Sequence, residues 1–544
     1  MDRRALLKAA GAAALIGAMG SAVPKPDAVL PRAAAQPWHD LFAQWVPEIF
    51  ATVPDAPAHT EAIVIGSGFG AAVSALRLAQ AGVATTVLER GSRWPTDPWR
   101  EIFTGDDLPD GRGFWHATSF TGVTKVPMHF AEFGGVLDCT SFPGIDVWRG
   151  AAVGGGSVVF TGAMIAPERR LFDHVFGGVV DYGELERVYY PRVRAMLRLD
   201  PMPDDIYHSA PFAHSRAWDD QVRQAGYRPI RNDSIFNWDV LRGELSGATR
   251  PSATVGRSNL GNSNGAKFDL NQNYLREAQD SGKAKIYPGH RVDTIAQEPG
   301  GRFVVTVTRL HPTGLALGTR TLTCDKLFLG AGSVGTSELL VRARATGTLP
   351  DLNEHIGEGW GTNGDVVLAR GASAVAGNGQ GVPSASRVFD ESGATPLTLE
   401  NWYIPGIPFE TGALASLGMV LDSTRARFSY DPASNGVGLT WPQRAQNAAA
   451  DAARAVDRRI AERAGALAEY GALGYDANAL FTAHPLGGAV LGKATDSYGR
   501  VHGHKGLYVM DGAAIPGSTA TVNPSLTITA LAERNIETVI REGH

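Results

Sequence analysis

Glu61-Ala62-Ile63-Val64-Ile65 is a nearly unbroken apolar run, and a run without polar alternation predicts a strand buried on both faces. Gly66-Ser67-Gly68-Phe69-Gly70-Ala71 follows at once, Ala72 to Ala81 carries a helical pattern, and Thr85-Thr86-Val87-Leu88 predicts a second strand ending at Glu89. Together they make one βαβ unit of about thirty residues. Strand character returns at Lys285-Ile286-Tyr287, Val292-Asp293-Thr294-Ile295, Phe303 to Arg309 and Lys326 to Leu329. Gly330-Ala331-Gly332-Ser333 then opens a helix through Arg344. Tyr182 to Leu199 predicts an amphipathic helix, and the Ala/Arg-rich stretch Gln443 to Tyr470 a helix on propensity. A last strand, Gly506 to Met510, precedes a helix from Thr527 to Arg541. Between Trp94 and Arg149 the sequence is rich in aromatics, Gly and Pro without a clear period, which reads as long loops over a site. No internal repeat is present.

Composition changes this picture in two places. Sixty-five glycines in 544 residues stand well above the usual 7 % or so, with no Gly-X-Y period, so many tight turns or close backbone approaches are expected. The net charge of −5 and the lack of a basic block beyond the first residues argue against a nucleic-acid partner. Cys139 and Cys324 form no metal-ligand spacing and read as small buried hydrophobes.

The N-terminus reads as a targeting segment. Asp2-Arg3-Arg4-Ala5-Leu6-Leu7-Lys8 is a charged start, Ala9 to Met19 an apolar run too short to span a bilayer, and Ala33-Ala34-Ala35 a small-residue cleavage site. The paired arginines resemble a twin-arginine signal, so residues 1–35 are expected to direct export of a protein folded around a cofactor. No other stretch is long and apolar enough to be a membrane span; at most a transient contact with a membrane surface is expected.

The glycine-rich turn between strand and helix has the context a dinucleotide site needs. Gly66 allows the tight turn, Gly68 lets backbone reach a pyrophosphate, and Ala71 lets helix pack on strand; Ser67, Phe69 and Gly70 complete the loop. The helix N-terminus offers free amides to phosphate. Glu89, 23 positions after Gly66, stands where an acid hydrogen-bonds the ribose hydroxyls, which favours a free 2′-OH over a 2′-phosphate. This unit alone does not separate NAD from FAD.

At Val153-Gly154-Gly155-Gly156-Ser157, and again over 484–531, the sequence resembles the glucose–methanol–choline (GMC) family of FAD oxidoreductases, most closely its bacterial cholesterol oxidases. The resemblance runs through Gly150 to Ser157, Tyr189 to Asp200, Phe328 to Asn353, and His484-Pro485-Leu486-Gly487-Gly488 through Ile515-Pro516-Gly517-Ser518 to Asn523-Pro524. It implies an α/β fold: a discontinuous Rossmann-type FAD domain over 59–100, 265–352 and 496–541, and a substrate domain with a mixed sheet and helices over 101–264 and 353–495. It implies non-covalent FAD, held also by Gly154, Gly155, Gly156, Ser157, the backbone of Val292, Gly330, Ala331, Gly332, Asp511, Gly512, Asn523 and Pro524. The helix after Asn523-Pro524 could turn its N-terminus to the anionic edge of the flavin ring.

The redox reading follows from the same resemblance. Oxidising an alcohol needs a hydroxyl proton removed while hydride passes to the flavin, and a histidine suits the proton. His484 is the implied catalytic histidine, beside Asn523. Glu400, in Leu399-Glu400-Asn401-Trp402-Tyr403-Ile404-Pro405, resembles the glutamate that shifts a 5-ene-3-one to the 4-ene-3-one, with Glu410 the competing choice. The chain departs from the steroid pattern at Phe160, Ala483 and Ser525, and Ser518-Thr519-Ala520-Thr521-Val522 is one residue longer than the matching loop. The expected function is an exported sterol or steroid 3β-alcohol oxidase that uses molecular oxygen and forms hydrogen peroxide. A GMC oxidase or dehydrogenase on a terpenoid, polyketide or sugar alcohol, a flavin-dependent lyase and a nonenzymatic lipid carrier are the competing readings.

Overall fold

The structure, a computed structural model, describes residues 32–106, 109–121, 127–371, 381–393, 395–402, 412–466 and 481–543. Helix α1 (Arg32–Trp45) leads into β1 (His59–Ile65), α2 (Phe69–Gln80) and β2 (Thr85–Leu88). The hairpin β3 (Leu137–Phe142) and β4 (Ile145–Gly150) follows, and after a mostly helical stretch come α3 (Tyr274–Asp280), β5 (Ala284–Tyr287), β6 (His290–Gln297), β7 (Phe303–Leu310), β8 (Ala316–Leu329) and α4 (Gly332–Thr346). Further along come β9 (Asp365–Gly371), β10 (Ser386–Asp390), β11 (Leu397–Trp402), β12 (Ala413–Val420), a small hairpin of Phe428–Asp431 and Gly436–Leu439, α5 (Asn447–Arg463), β13 (Phe481–Thr482), β14 (Leu507–Val509) and α6 (Ser525–Arg541).

The apolar run at 61–65 lies inside a seven-stranded sheet of order β5-β2-β1-β8-β7-β6, with β14 paired to β8. Strands β5, β2, β1, β8 and β14 run parallel, and β7 and β6 extend the sheet as an antiparallel meander. Val64 and Val87 are fully buried, as strands covered on both faces require. In register, Ile65 pairs Leu88 and Leu329, and Leu329 pairs Val509. Four strand ends distant in sequence therefore finish on one line, and Gly66, Glu89, Gly330 and Met510-Asp511 share one edge. Open α/β sheets bind ligands outside such carboxyl ends.

A second, antiparallel sheet of order β9-β12-β11-β10 ends on the short strand Ile230–Arg231. One face packs on α5: Val366, Leu368, Leu397, Leu399 and Leu414 meet Ala449, Ala453, Val456 and Ile460. The buried Arg370–Asp457 pair, 2.6 Å apart, ties β9 to the same helix, and breaking such a pair costs about 3–5 kcal/mol. Because side chains alternate, Asp365, Val367, Glu400 and Trp402 turn to the other face. A third sheet, β13-β4-β3, sets Phe481 opposite Asp146 and Thr482 opposite Val147.

Three elements differ from the sequence reading. The stretch from 94 to 149 is not loop throughout: it holds the β3–β4 hairpin, whose strands alternate too weakly to stand out. The helix expected over 182–199 runs over 182–197 but carries a π turn at Leu185–Tyr189; Pro191 has no N–H to continue the ladder and crowds the preceding turn. The helix expected over 443–470 spans Asn447–Arg463, and residues 467–470 lie outside the described ones. Cys324 is buried and Cys139 half-buried, and both are free thiols. Among the described residues no helix is long and apolar enough to cross a membrane. Residues 1–31 and Glu410 lie outside the described residues; Ala33-Ala34-Ala35 fall in α1.

Candidate active site

A cavity of about 980 Å³ runs along the shared strand edge and under the second sheet. At one end its wall is Gly66 to Gly70, Glu89, Gly155, Gly156, Val292, Gly330, Ala331, Gly332, Asp511 and Gly512. The loops meet there because glycine lets them. Gly66 has φ +93°, and a Cβ on it would lie 2.2 Å from the Gly330 carbonyl oxygen; Gly155 has φ +53°, and its Cβ would lie 2.7 Å from the Gly68 Cα. At Gly68, Gly156 and Gly332 a Cβ would meet nothing closer than 3.9 Å, so bare backbone faces open space. The N-termini of α2 and α4 open into this space, as an anion site requires.

Glu89 is buried, with Oε2 accepting from the Ser67 hydroxyl at 2.6 Å and Oε1 from the Gly91 N–H at 2.9 Å. Burial raises its pKa, against the pull of those two bonds. Asp511 accepts from the Gly332 N–H (2.8 Å), the Thr336 hydroxyl (2.6 Å) and the Ala513 N–H (2.9 Å), so it clamps the end of β14 to the start of α4. Burial pushes its carboxyl up to about 6. A β-bulge between Val292 and Thr294 bends β6 where it meets the wall. Ala71 makes the close helix–strand packing expected of it, and Gly154 and Ser157, expected to touch the dinucleotide, lie outside the cavity wall. Ala71 packs against Gly330, while Gly154 donates its N–H to the Ser67 hydroxyl and Ser157 donates its hydroxyl to the Gly154 carbonyl. They shape the loop rather than the surface.

At the other end the wall holds His484, Asn523, Pro524 and Ser525, with Phe120, Met128, Trp148, Phe160, Trp402, Leu417 and Phe481 beside them. The Trp148 and Phe481 rings lie 4.5 Å apart, centroid to centroid, and Phe120 sits 5.3 Å from Trp148, so this end is aromatic. Phe160, Ala483 and Ser525, three of the departures noted in the sequence, all line the cavity. The longer loop does not. It is tied behind the wall by Asn363, which accepts from the Thr519 N–H and donates to the Val522 carbonyl, and it carries Ala520 and Thr521 at φ +61° and +72°.

His484 lies 2.7 Å through Nδ1 from Asp365, whose side chain is fully buried. Burial of the ring disfavours its charge, but the Asp365 carboxylate, with Glu400 behind, outweighs this and raises the His484 pKa. Asn523 donates through Nδ2 to Glu400 Oε2 at 3.3 Å, and its buried Oδ1 has no partner among the described residues. Glu400 is fully buried and outside the cavity wall, also holding Asn232 Nδ2 at 3.4 Å. Burial pushes its carboxyl up to about 7, against the pull of Asn523, His484 and Arg387. Each polar head at the cavity is thus backed by a buried carboxylate. Sequence reasoning missed Asp365 and Thr482 entirely: nothing local marks an acid at the start of a strand as the partner of a histidine 119 positions away.

Residues 433–532 match the family model of the GMC oxidoreductases. The chain is similar to a cholesterol oxidase of Mycobacterium tuberculosis, at 26 % identity over 87 % of this chain and 90 % of that protein. A cholesterol oxidase of Acinetobacter baumannii is 24 % identical over 87 % and 93 %. Among solved structures, pyridoxine 4-oxidase from Mesorbium loti superposes with a TM-score of 0.58 at 16 % identity, over 89 % of this chain and 99 % of that one. The residues present fit the FAD that this family binds. Bare backbone at Gly68, Gly156 and Gly332 leaves room for a pyrophosphate, Glu89 has acceptor capacity left for ribose, and Asn523 Oδ1, buried without a hydrogen-bond partner among the described residues, can accept from a bound group.

Proposed function

We propose that this chain, which has the fold of the GMC oxidoreductases and their C-terminal sequence, is an FAD-dependent oxidase that converts an apolar secondary alcohol of the sterol class to its ketone with oxygen as acceptor. The observation that carries the reading is His484. It faces one cavity together with the dinucleotide edge, has a buried carboxylate on Nδ1, and makes no hydrogen bond through Nε2 to a described residue. FAD, when bound, supplies the two-electron acceptor for the hydride. His484 Nε2 then takes the hydroxyl proton, Asn523 orients the polar head of the substrate, and the aromatic wall of Phe120, Trp148, Trp402 and Phe481 holds its apolar body and excludes water. The sterol class is supported by that wall and by relatives named cholesterol oxidase. An anaerobic screen of flavin bleaching over sterols, other terpenoid alcohols and sugars tests the reading. Bleaching by sterols first is the expected result; bleaching by sugars alone would overturn the sterol assignment, and bleaching by no alcohol the oxidase itself.

We further propose that Glu400, directly behind the cavity wall and in contact with the wall residue Asn523 at 3.3 Å, moves the proton that conjugates a 5-ene-3-one product. A carboxyl with a pKa of about 7 can both accept and return a proton near neutrality. Glu400→Gln keeps the volume and removes the base, so on a Δ5-3β-hydroxysteroid it should release the unconjugated ketone, with the ultraviolet band of the enone late or absent. In the native enzyme, isomerisation should fade as pH falls through about 7, where the carboxylate is protonated. Native-rate enone from the variant would exclude Glu400 from this step.

The paired Arg3 and Arg4 are the basis for proposing export. Arg3→Lys with Arg4→Lys should hold the full-length protein in the cytoplasm, followed by fractionation; unchanged export would remove the twin-arginine reading.

A further inference from the structure

We propose that Asp365 is the positioning residue of the site: its buried carboxylate holds His484 as the Nδ1–H tautomer and so keeps Nε2 an open proton acceptor toward the cavity. The inference rests on the alcohol-oxidase reading for its purpose, but its geometry stands apart from it.

Asp365 is itself held on every side. It opens β9 opposite Met419, and its backbone carbonyl accepts from Gln446 Nε2. Its Oδ2 accepts from the Thr482 hydroxyl at 2.8 Å and the Ala483 N–H at 3.1 Å, which leaves Oδ1 for His484 Nδ1 at 2.7 Å. The Thr482 hydroxyl in turn accepts the His484 backbone N–H at 3.0 Å. One carboxylate therefore anchors three consecutive residues, Thr482 to His484, and orients the ring of the last. A carboxylate only accepts, so the nitrogen facing it must carry the hydrogen, and the neutral ring keeps its lone pair on Nε2. The opposite tautomer would aim an N–H at the substrate hydroxyl and a lone pair at a buried negative charge.

The substrate O–H bond breaks and its proton bonds to His484 Nε2, while the carbinol C–H bond breaks with its electron pair leaving as a hydride that FAD, when bound, would accept; the C=O bond forms between that carbon and that oxygen. The imidazolium so made sits against Asp365; Glu400, its own carboxyl pushed up to about 7, adds to the pull only where it is ionised, and Arg387 faces Glu400. With that charge in place, the proton-accepting form of His484 persists only above a pH higher than its ordinary 6.5.

The test uses the FAD-bound protein labelled with ¹⁵N-histidine, with His484→Gln identifying the His484 signals among the fourteen histidines. In the native protein the neutral ring should carry its hydrogen on Nδ1 and titrate above 6.5. Asp365→Asn should slow anaerobic flavin reduction about 10²-fold or more, the scale of a lost base. It should also move the acid limb of the reduction rate to lower pH, because the charge that raises the His484 pKa is gone. A native ring protonated on Nε2 would overturn the proposal, and so would an Asp365→Asn variant with native rate and an unmoved limb. The native spectrum decides the matter even if that variant does not fold. An Nδ1–H ring in a protein whose flavin no alcohol reduces would support the positioning and sink the oxidase reading alone.

Discussion

His484→Ala is expected to leave FAD bound and to slow its reduction by alcohol about 10²–10⁴-fold, the range lost with a general base. The ring stands at the aromatic end of the cavity, and the glycine loops, Glu89 and the α2 and α4 N-termini that would hold the dinucleotide are all elsewhere. The substitution should therefore separate binding from chemistry. It leaves Asp365 held by Thr482 and Ala483, so the wall around the lost ring keeps its anchor. Stopped-flow measurement of anaerobic bleaching, with flavin content measured beside it, reads both effects. Native-rate bleaching in the variant would exclude His484 from the reaction.

Glu89→Arg is expected to strip the protein of FAD. The change removes the acceptor for ribose, where each hydrogen bond to a charged group is worth about 1.5–3 kcal/mol. It also removes the acceptor of the Ser67 hydroxyl and the Gly91 N–H, both of which shape the turn. Two lost bonds of that size lower affinity by roughly two to four powers of ten. The flavin-to-protein absorbance ratio of the purified variant measures it, and full occupancy would defeat the ribose assignment. Glu89→Gln, which still accepts and still fits, should retain more flavin than the arginine variant.

The two variants draw on unlike kinds of information. The Glu89 site was legible in the chain because its parts are contiguous: strand, glycine turn, helix, strand and acid follow within about thirty residues. Local rules of period and turn chemistry act at that range, and β1, α2 and β2 fall where the pattern puts them, α2 starting three residues earlier because Gly68 already caps it. His484 and Asn523 were legible through resemblance alone, since a histidine before a proline carries no chemistry by itself. The carboxylates behind them were legible in part: Glu400 by likeness, Asp365 not at all.

The sequence by itself determined the parts of the dinucleotide edge, because each loop there is bent and bared by its own glycines, whereas the order of strands that brings those loops together came from the tertiary structure. Only the tertiary structure decided which acid stands behind which polar head. Glu400 and Asp365 come to one face through register: Glu400 pairs Leu417, Leu417 pairs Val367, and Asp365 lies two residues along the same strand. A shift of one residue in either pairing would turn a carboxylate toward α5 and leave His484 without its partner. That register is set by the apolar side chains of β9, β11 and β12 packing on α5, and no short window of sequence contains both sides of that contact.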